Sequence, residues 1–206
     1  MKKIMLDIPQ LEGDKKPTTM INFLSDKRFD REWVKNVNSL WDLEILILES
    51  IEEYADNKSD DLLLKIFHLI EIWGGYSGRS VYLDYEEGFD WDNIRGNYKN
   101  IVDVCLNICS FDNETLKIVY HAIKEYKIAH IGMSFATKHV RFWTYHRLGH
   151  NMLPIYDKKM VNYYKKKSGG KYNVLNYWKW MIDNRKDKSL ARMEREIYND
   201  LKNNNL

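Results

Sequence analysis

"KIAHIGMSFATKHVRFWTYHRLGHNMLPIYDKK", residues 127–159, sets a lysine inside an amphipathic stretch and an aspartate just after a proline-containing run. Its pattern predicts a helix, a tight turn at Ile131-Gly132-Met133 and a second helix from Ser134 to about His146. A loop through Gly149 and Pro154 then leads to a third helix beginning at Asp157. Such a turn exposes backbone amides, and the second helix offers its N-terminus, so Gly132 and Ser134 are placed to hold phosphate oxygens without regard to base sequence. Lys138 falls about one turn inside the second helix, where the helix dipole disfavours its ammonium. Partial burial beside Phe135, Phe142 and Trp143 would push the same way, towards a neutral, nucleophilic amine. Asp157 is at minimum a helix N-cap.

Outward from that stretch, apolar residues recur at spacings of three and four and alternation is scarce, so the expected class is all-α. Residues 29–57 read as one or two helices carrying Trp33, Val37, Leu40, Trp41, Ile45, Leu48 and Ile51, and a further helix opens on Ser59 with acids in its first turn. It stops at "WGGYSGR", residues 73–79, whose glycines would let backbone approach a ligand closely. Trp73, Tyr76 and Phe142 are candidates to line a ligand pocket by stacking, with Arg79 of the same loop a further candidate. Residues 86–111 hold a connector and a helix. Residues 112–131 form another helix capped by Asp112 or Asn113, and two more close the chain from residue 173 onward. The expected architecture is one compact, two-lobed helical domain over 1–206, with the helix-hairpin-helix and the lysine–aspartate region at 114–165.

At 206 residues, 44% hydrophobic and 14% aromatic, the chain can bury a substantial core. No apolar run is long enough to cross a bilayer, which points to a soluble cytoplasmic protein. The only cysteines, Cys105 and Cys109, lie four apart as expected of two buried thiols on one helix face, too few for a disulfide framework or a four-cysteine metal site. His139, His146 and His150 lack carboxylate or cysteine partners at ligand spacing, so no metal and no cofactor are expected. Net charge is +2, but residues 137–171 hold nine Lys or Arg, Arg141, Lys158 and Lys159 among them, against Asp157 as the one acid. Of the 32 bases and 30 acids in the chain, 23 and 29 are left for the remainder, so the polarity is regional, the footprint a polyanion partner leaves.

"FATKHVRFW…LPIYDKK", with lysine and aspartate 19 residues apart, resembles the helix-hairpin-helix DNA glycosylase superfamily, and within it bacterial and archaeal 8-oxoguanine DNA glycosylase-like proteins. The likeness spans residues 128–164, and the hairpin, "HIGMSFATK", carries a single glycine. The resemblance implies a monomer acting on duplex DNA that carries a damaged or modified base, best matched by 8-oxoguanine, flipped into a pocket. Lys138 would attack C1′ of the deoxyribose and form a Schiff base, giving glycosylase and abasic-site lyase activity. Asp157 would stabilise positive charge on the sugar and help deprotonate the lysine. Lys158 and Lys159 would touch phosphate, with Arg141 in the same basic field. Neither the four-cysteine iron–sulfur loop of the endonuclease III branch nor room for an additional amino-terminal β domain is present, so a minimal helical version is implied. Three alternatives stay open at this point: a non-catalytic helix-hairpin-helix DNA-binding protein, a glycosylase directed at modified phage DNA in antiviral defence, and a helical protein-interaction domain whose basic stretch is incidental.

Overall fold

The computed structural model describes residues 31–74, 91–128, 131–169 and 173–203, and all regular structure among them is helical. After a 3-10 turn at Arg31–Val34, the α-helices are α1 (Leu40–Asn57), α2 (Asp60–Trp73), α3 (Trp91–Asn107) and α4 (Asn113–Glu125). They continue with α5 (Met133–Leu148), α6 (Lys158–Ser168), α7 (Val174–Asn184) and α8 (Leu190–Asn203), with a 3-10 turn at Gly149–Asn151 following α5. The chain divides into two compact units, one spanning residues 10–96 and the other mainly 97–206.

In the first unit, α1 starts with a capping box. The Ser39 hydroxyl accepts from Asp42 N–H at 3.1 Å and the Asp42 carboxylate accepts from Ser39 N–H at 3.0 Å, so two otherwise orphaned donors are satisfied. The helix ends on Lys58 in the left-handed region (φ 55°), and Ser59 at once caps α2. This two-residue link makes α1 and α2 neighbours, and they bury Leu43, Ile47, Ile51 and Tyr54 from one and Leu63, Ile66, Phe67 and Ile70 from the other. Full burial of each such side chain contributes about 1.5–3 kcal/mol. Ile45, expected on the core face, is 43% exposed, because the buried stripe runs through Leu43 and Ile47 instead.

In the second unit, Asp112 is the cap of α4: its carboxylate accepts from Thr115 N–H at 2.8 Å. The helix stops at Glu125, six residues short of the expected end. Continuing the helical phase of Val119 and Ile123 would have exposed Ile128 and Ile131. By leaving the helix the chain buries both. The connection to α5 therefore covers residues 126–132, longer than the tight turn anticipated, and α4 makes its main helix contact with α7. Cys105 is buried, which pushes its thiol up, whereas Cys109 is exposed: α3 ends at Asn107, so the two cysteines do not share a helical face. His139 belongs to a buried polar chain. Trp143 Nε1 donates to the Tyr98 oxygen at 2.8 Å, and that hydroxyl lies 2.9 Å from His139 Nδ1.

Candidate functional site

Helix α5 has no clean apolar stripe. Thr137, Arg141 and Thr144, spaced by four and three, are each at most 1% exposed, so a polar row faces the interior. That row holds the non-helical segment Leu153–Asp157. Leu153 N–H donates to the Thr144 hydroxyl at 3.0 Å, and Tyr156 N–H donates to the Thr137 hydroxyl at 3.0 Å. Each threonine passes its own proton to a carbonyl of its helix, Thr137 to Ser134 at 2.9 Å and Thr144 to Arg141 at 3.2 Å. From α8, the Glu194 carboxylate accepts from Ile155 N–H at 2.9 Å, and from α7 the Trp178 indole donates to the Pro154 carbonyl at 2.8 Å. Pro154 has no N–H to satisfy. Every backbone N–H from Leu153 to Tyr156 is thus bound by a side chain, and three helices fix the segment that delivers Asp157.

Asp157 is half-buried, and both its oxygens are engaged. Oδ1 accepts from Met160 N–H at 2.8 Å as the N-cap of α6, and Oδ2 accepts from the Tyr198 hydroxyl at 2.5 Å. Burial first, and then the charge of Asp157, push the Tyr198 phenol well up, so it remains a donor across the physiological range. One turn earlier on α8, Glu194 pairs with Arg141, and both are nearly inaccessible. Burial raises the Glu194 carboxyl while the guanidinium pulls it back. A hydrogen bond to a charged acceptor contributes about 1.5–3 kcal/mol, so Tyr198→Phe, which keeps the ring, is expected to lower unfolding stability by about that amount in urea titrations. A loss below about 0.5 kcal/mol would mean that the phenol does not hold the carboxylate in solution.

Lys138 is half-buried on α5 with Nζ 3.9 Å from the centroid of the Phe135 ring, a contact that favours the ammonium and opposes the influence of the helix dipole. The Thr137–Tyr156 hydrogen bond joins the residues immediately preceding Lys138 and Asp157, so the two candidates extend from adjoining backbone. Gly132 is exposed and caps α5 through its carbonyl, and Ser134 is half-buried in the first turn. Lys158 and Lys159 are exposed on the first turn of α6.

Three site assignments are corrected by burial. Arg141 is 1% exposed and tied to Glu194, so it supports the core of this unit rather than reaching phosphate. Phe142, also 1% exposed, is a core residue. Trp73 is 2% exposed, and its indole donates to Glu44 at 2.8 Å within the α1–α2 pair. Tyr76 and Arg79 lie outside the described residues. Among the described residues no cluster of three or more His, Cys, Asp or Glu is positioned to hold a metal ion, and no helix is long and apolar enough to cross a membrane.

Sequence reasoning missed Thr137, Thr144, Trp178, Glu194 and Tyr198. Only Glu194 carried a signal: it falls in phase with Leu190, Ile197 and Leu201, an acid on the apolar stripe of α8. Comparison with protein-family models, curated proteins and solved structures finds no match to this chain.

Proposed function

We propose that this chain is a DNA glycosylase with abasic-site lyase activity, acting as a cofactor-free monomer on duplex DNA that carries a damaged or modified base, with 8-oxoguanine the lead substrate. The observation that carries this reading is the immobilised Leu153–Asp157 segment, whose Tyr156 is hydrogen-bonded to Thr137 beside Lys138. A carboxylate at the end of a segment held from three helices is preorganised for electrostatic work, which is where such a group is most effective. In the proposed reaction the neutral Lys138 amine attacks C1′, the glycosidic bond breaks, and the base leaves with the bonding electrons and takes up a proton. Opening of the sugar ring then leaves an iminium between Nζ and C1′. Loss of a C2′ proton expels the 3′ phosphate by β-elimination. Asp157 stabilises the positive charge that builds on the sugar and accepts the proton that Lys138 must lose.

A non-catalytic DNA-binding protein is the second reading, and the Lys138 contact with Phe135 favours it, because a ring face retains an ammonium. Antiviral action on modified DNA would use the same lysine and aspartate. Borohydride trapping separates catalyst from binder. With a duplex carrying an abasic site, amine and aldehyde condense with loss of water, and reduction of the imine leaves a permanent protein–DNA adduct. Wild type is expected to give this adduct and Lys138→Gln to give none. No adduct in wild type, or one undiminished in Lys138→Gln, refutes the lysine mechanism. A parallel panel of duplexes carrying 8-oxoguanine and other modified bases identifies the substrate.

A further inference from the structure

Helix α6 buries Met160, Val161 and Tyr164 and exposes Lys158, Lys159, Asn162, Lys165, Lys166 and Lys167. At 100° per residue, Lys158 and Lys165 fall in one row and Lys159 and Lys166 in a second, flanking Asn162 on the side opposite the buried face. Seven residues of helix separate the members of each row by about 10.5 Å. No acid lies in the first turn. Lys158 and Lys159 sit in the first turn, where the dipole disfavours cations, beside the Asp157 carboxylate that caps the helix and accepts from Met160 N–H and the Tyr198 hydroxyl. The Asp157 carboxylate keeps its charge while it caps the helix, so an anion placed across the outward face would be held by the charge of the lysines.

We propose that the outward face of α6 is a docking stripe for the phosphate backbone of duplex DNA, its two lysine pairs engaging neighbouring phosphates along one strand. The stripe rests on the DNA-binding part of the reading above and is independent of the Lys138 chemistry. A membrane surface fits less well: interfacial helices present an apolar face beside the basic one, and here the apolar face is buried in the fold.

The test uses the full chain, an undamaged duplex and fluorescence anisotropy over a salt series. Lys158→Ala/Lys159→Ala and Lys165→Ala/Lys166→Ala are each expected to reduce the slope of log Kobs against log[salt] by about 1.8, and the quadruple variant by about 3.6. Lys117→Ala/Lys124→Ala on α4 serves as the control and is expected to leave the slope unchanged. Lys158→Glu/Lys159→Glu is expected to abolish binding while raising the unfolding midpoint, because acids suit that helix end. Misfolding would then not account for the loss. An unchanged slope in Lys165→Ala/Lys166→Ala, an equal reduction in the control, or binding to phosphatidylserine vesicles in preference to duplex would overturn the stripe. Failure of borohydride trapping would refute the lysine mechanism and leave these slopes as they are.

Discussion

Asp157→Asn is expected to leave folding and duplex binding in place and to slow single-turnover excision by about 10²–10³-fold. Asparagine is as good an N-cap as aspartate, so its side-chain oxygen keeps the hydrogen bond from Met160 N–H. At the second position an amide N–H₂ replaces the oxygen that accepts from Tyr198, and the phenol can turn its proton away and accept instead. What disappears is the negative charge. Stabilisation of developing charge by a preorganised group is worth about 2.7–4 kcal/mol, which sets the size of the effect. Anisotropy on the same variant checks that binding survives. Excision within about tenfold of wild type would assign Asp157 to capping alone.

The second large effect concerns the fold. Arg141→Met strands the Glu194 carboxylate in the interior, and removing one member of a buried pair costs about 3–5 kcal/mol, a large part of the about 5–15 kcal/mol that holds an average domain together. Arg141→Met/Glu194→Gln is expected to recover most of that loss, because the glutamine carbonyl still accepts from Ile155 N–H and no charge is left unpaired. The pH dependence has a definite sign. Burial already raises the Glu194 carboxyl, and removal of the guanidinium takes away the influence that lowers it. Arg141→Met is therefore expected to be most stable where the acid is protonated in both folded and unfolded chains. Stability is then lost as pH rises through the interval between the ordinary carboxyl value and the raised folded one. Urea titrations between pH 4 and 8 measure this. A variant equally stable across that range would mean that Glu194 is solvated rather than buried.

Helix identity was legible where local chemistry determines it. Ser59, Asp112 and Asp157 all cap the helices that their sequences announce, because capping depends on residues only three apart. Phase within an apolar run was less legible: "LEILILES" offers adjacent apolar residues, and only packing selects Leu43 and Ile47 over Ile45. The site was legible as two residue types at a spacing. Its support was not, since Thr137–Tyr156 and Arg141–Glu194 join residues 19 and 53 apart and neither pairing leaves a local pattern. Arg141 in particular looks in sequence like one more cation of a basic segment. Burial, a tertiary property, makes it structural.

The segment Leu153–Tyr156 carries no regular secondary structure, yet its amides are as fully committed as those of a helix. Hydrogen exchange at Leu153, Ile155 and Tyr156 therefore requires the surrounding helices to separate, so these amides belong to the slowest-opening class rather than to the mobile surface. A one-residue insertion here would put successive N–H groups out of step with Thr144, Glu194 and Thr137, whereas an insertion at exposed Gly169, whose left-handed backbone (φ 60°) ends α6, breaks no such set. Tolerance to insertion along this chain thus follows hydrogen-bond commitment, and the connection that resembles a loop is among the least editable parts of the molecule.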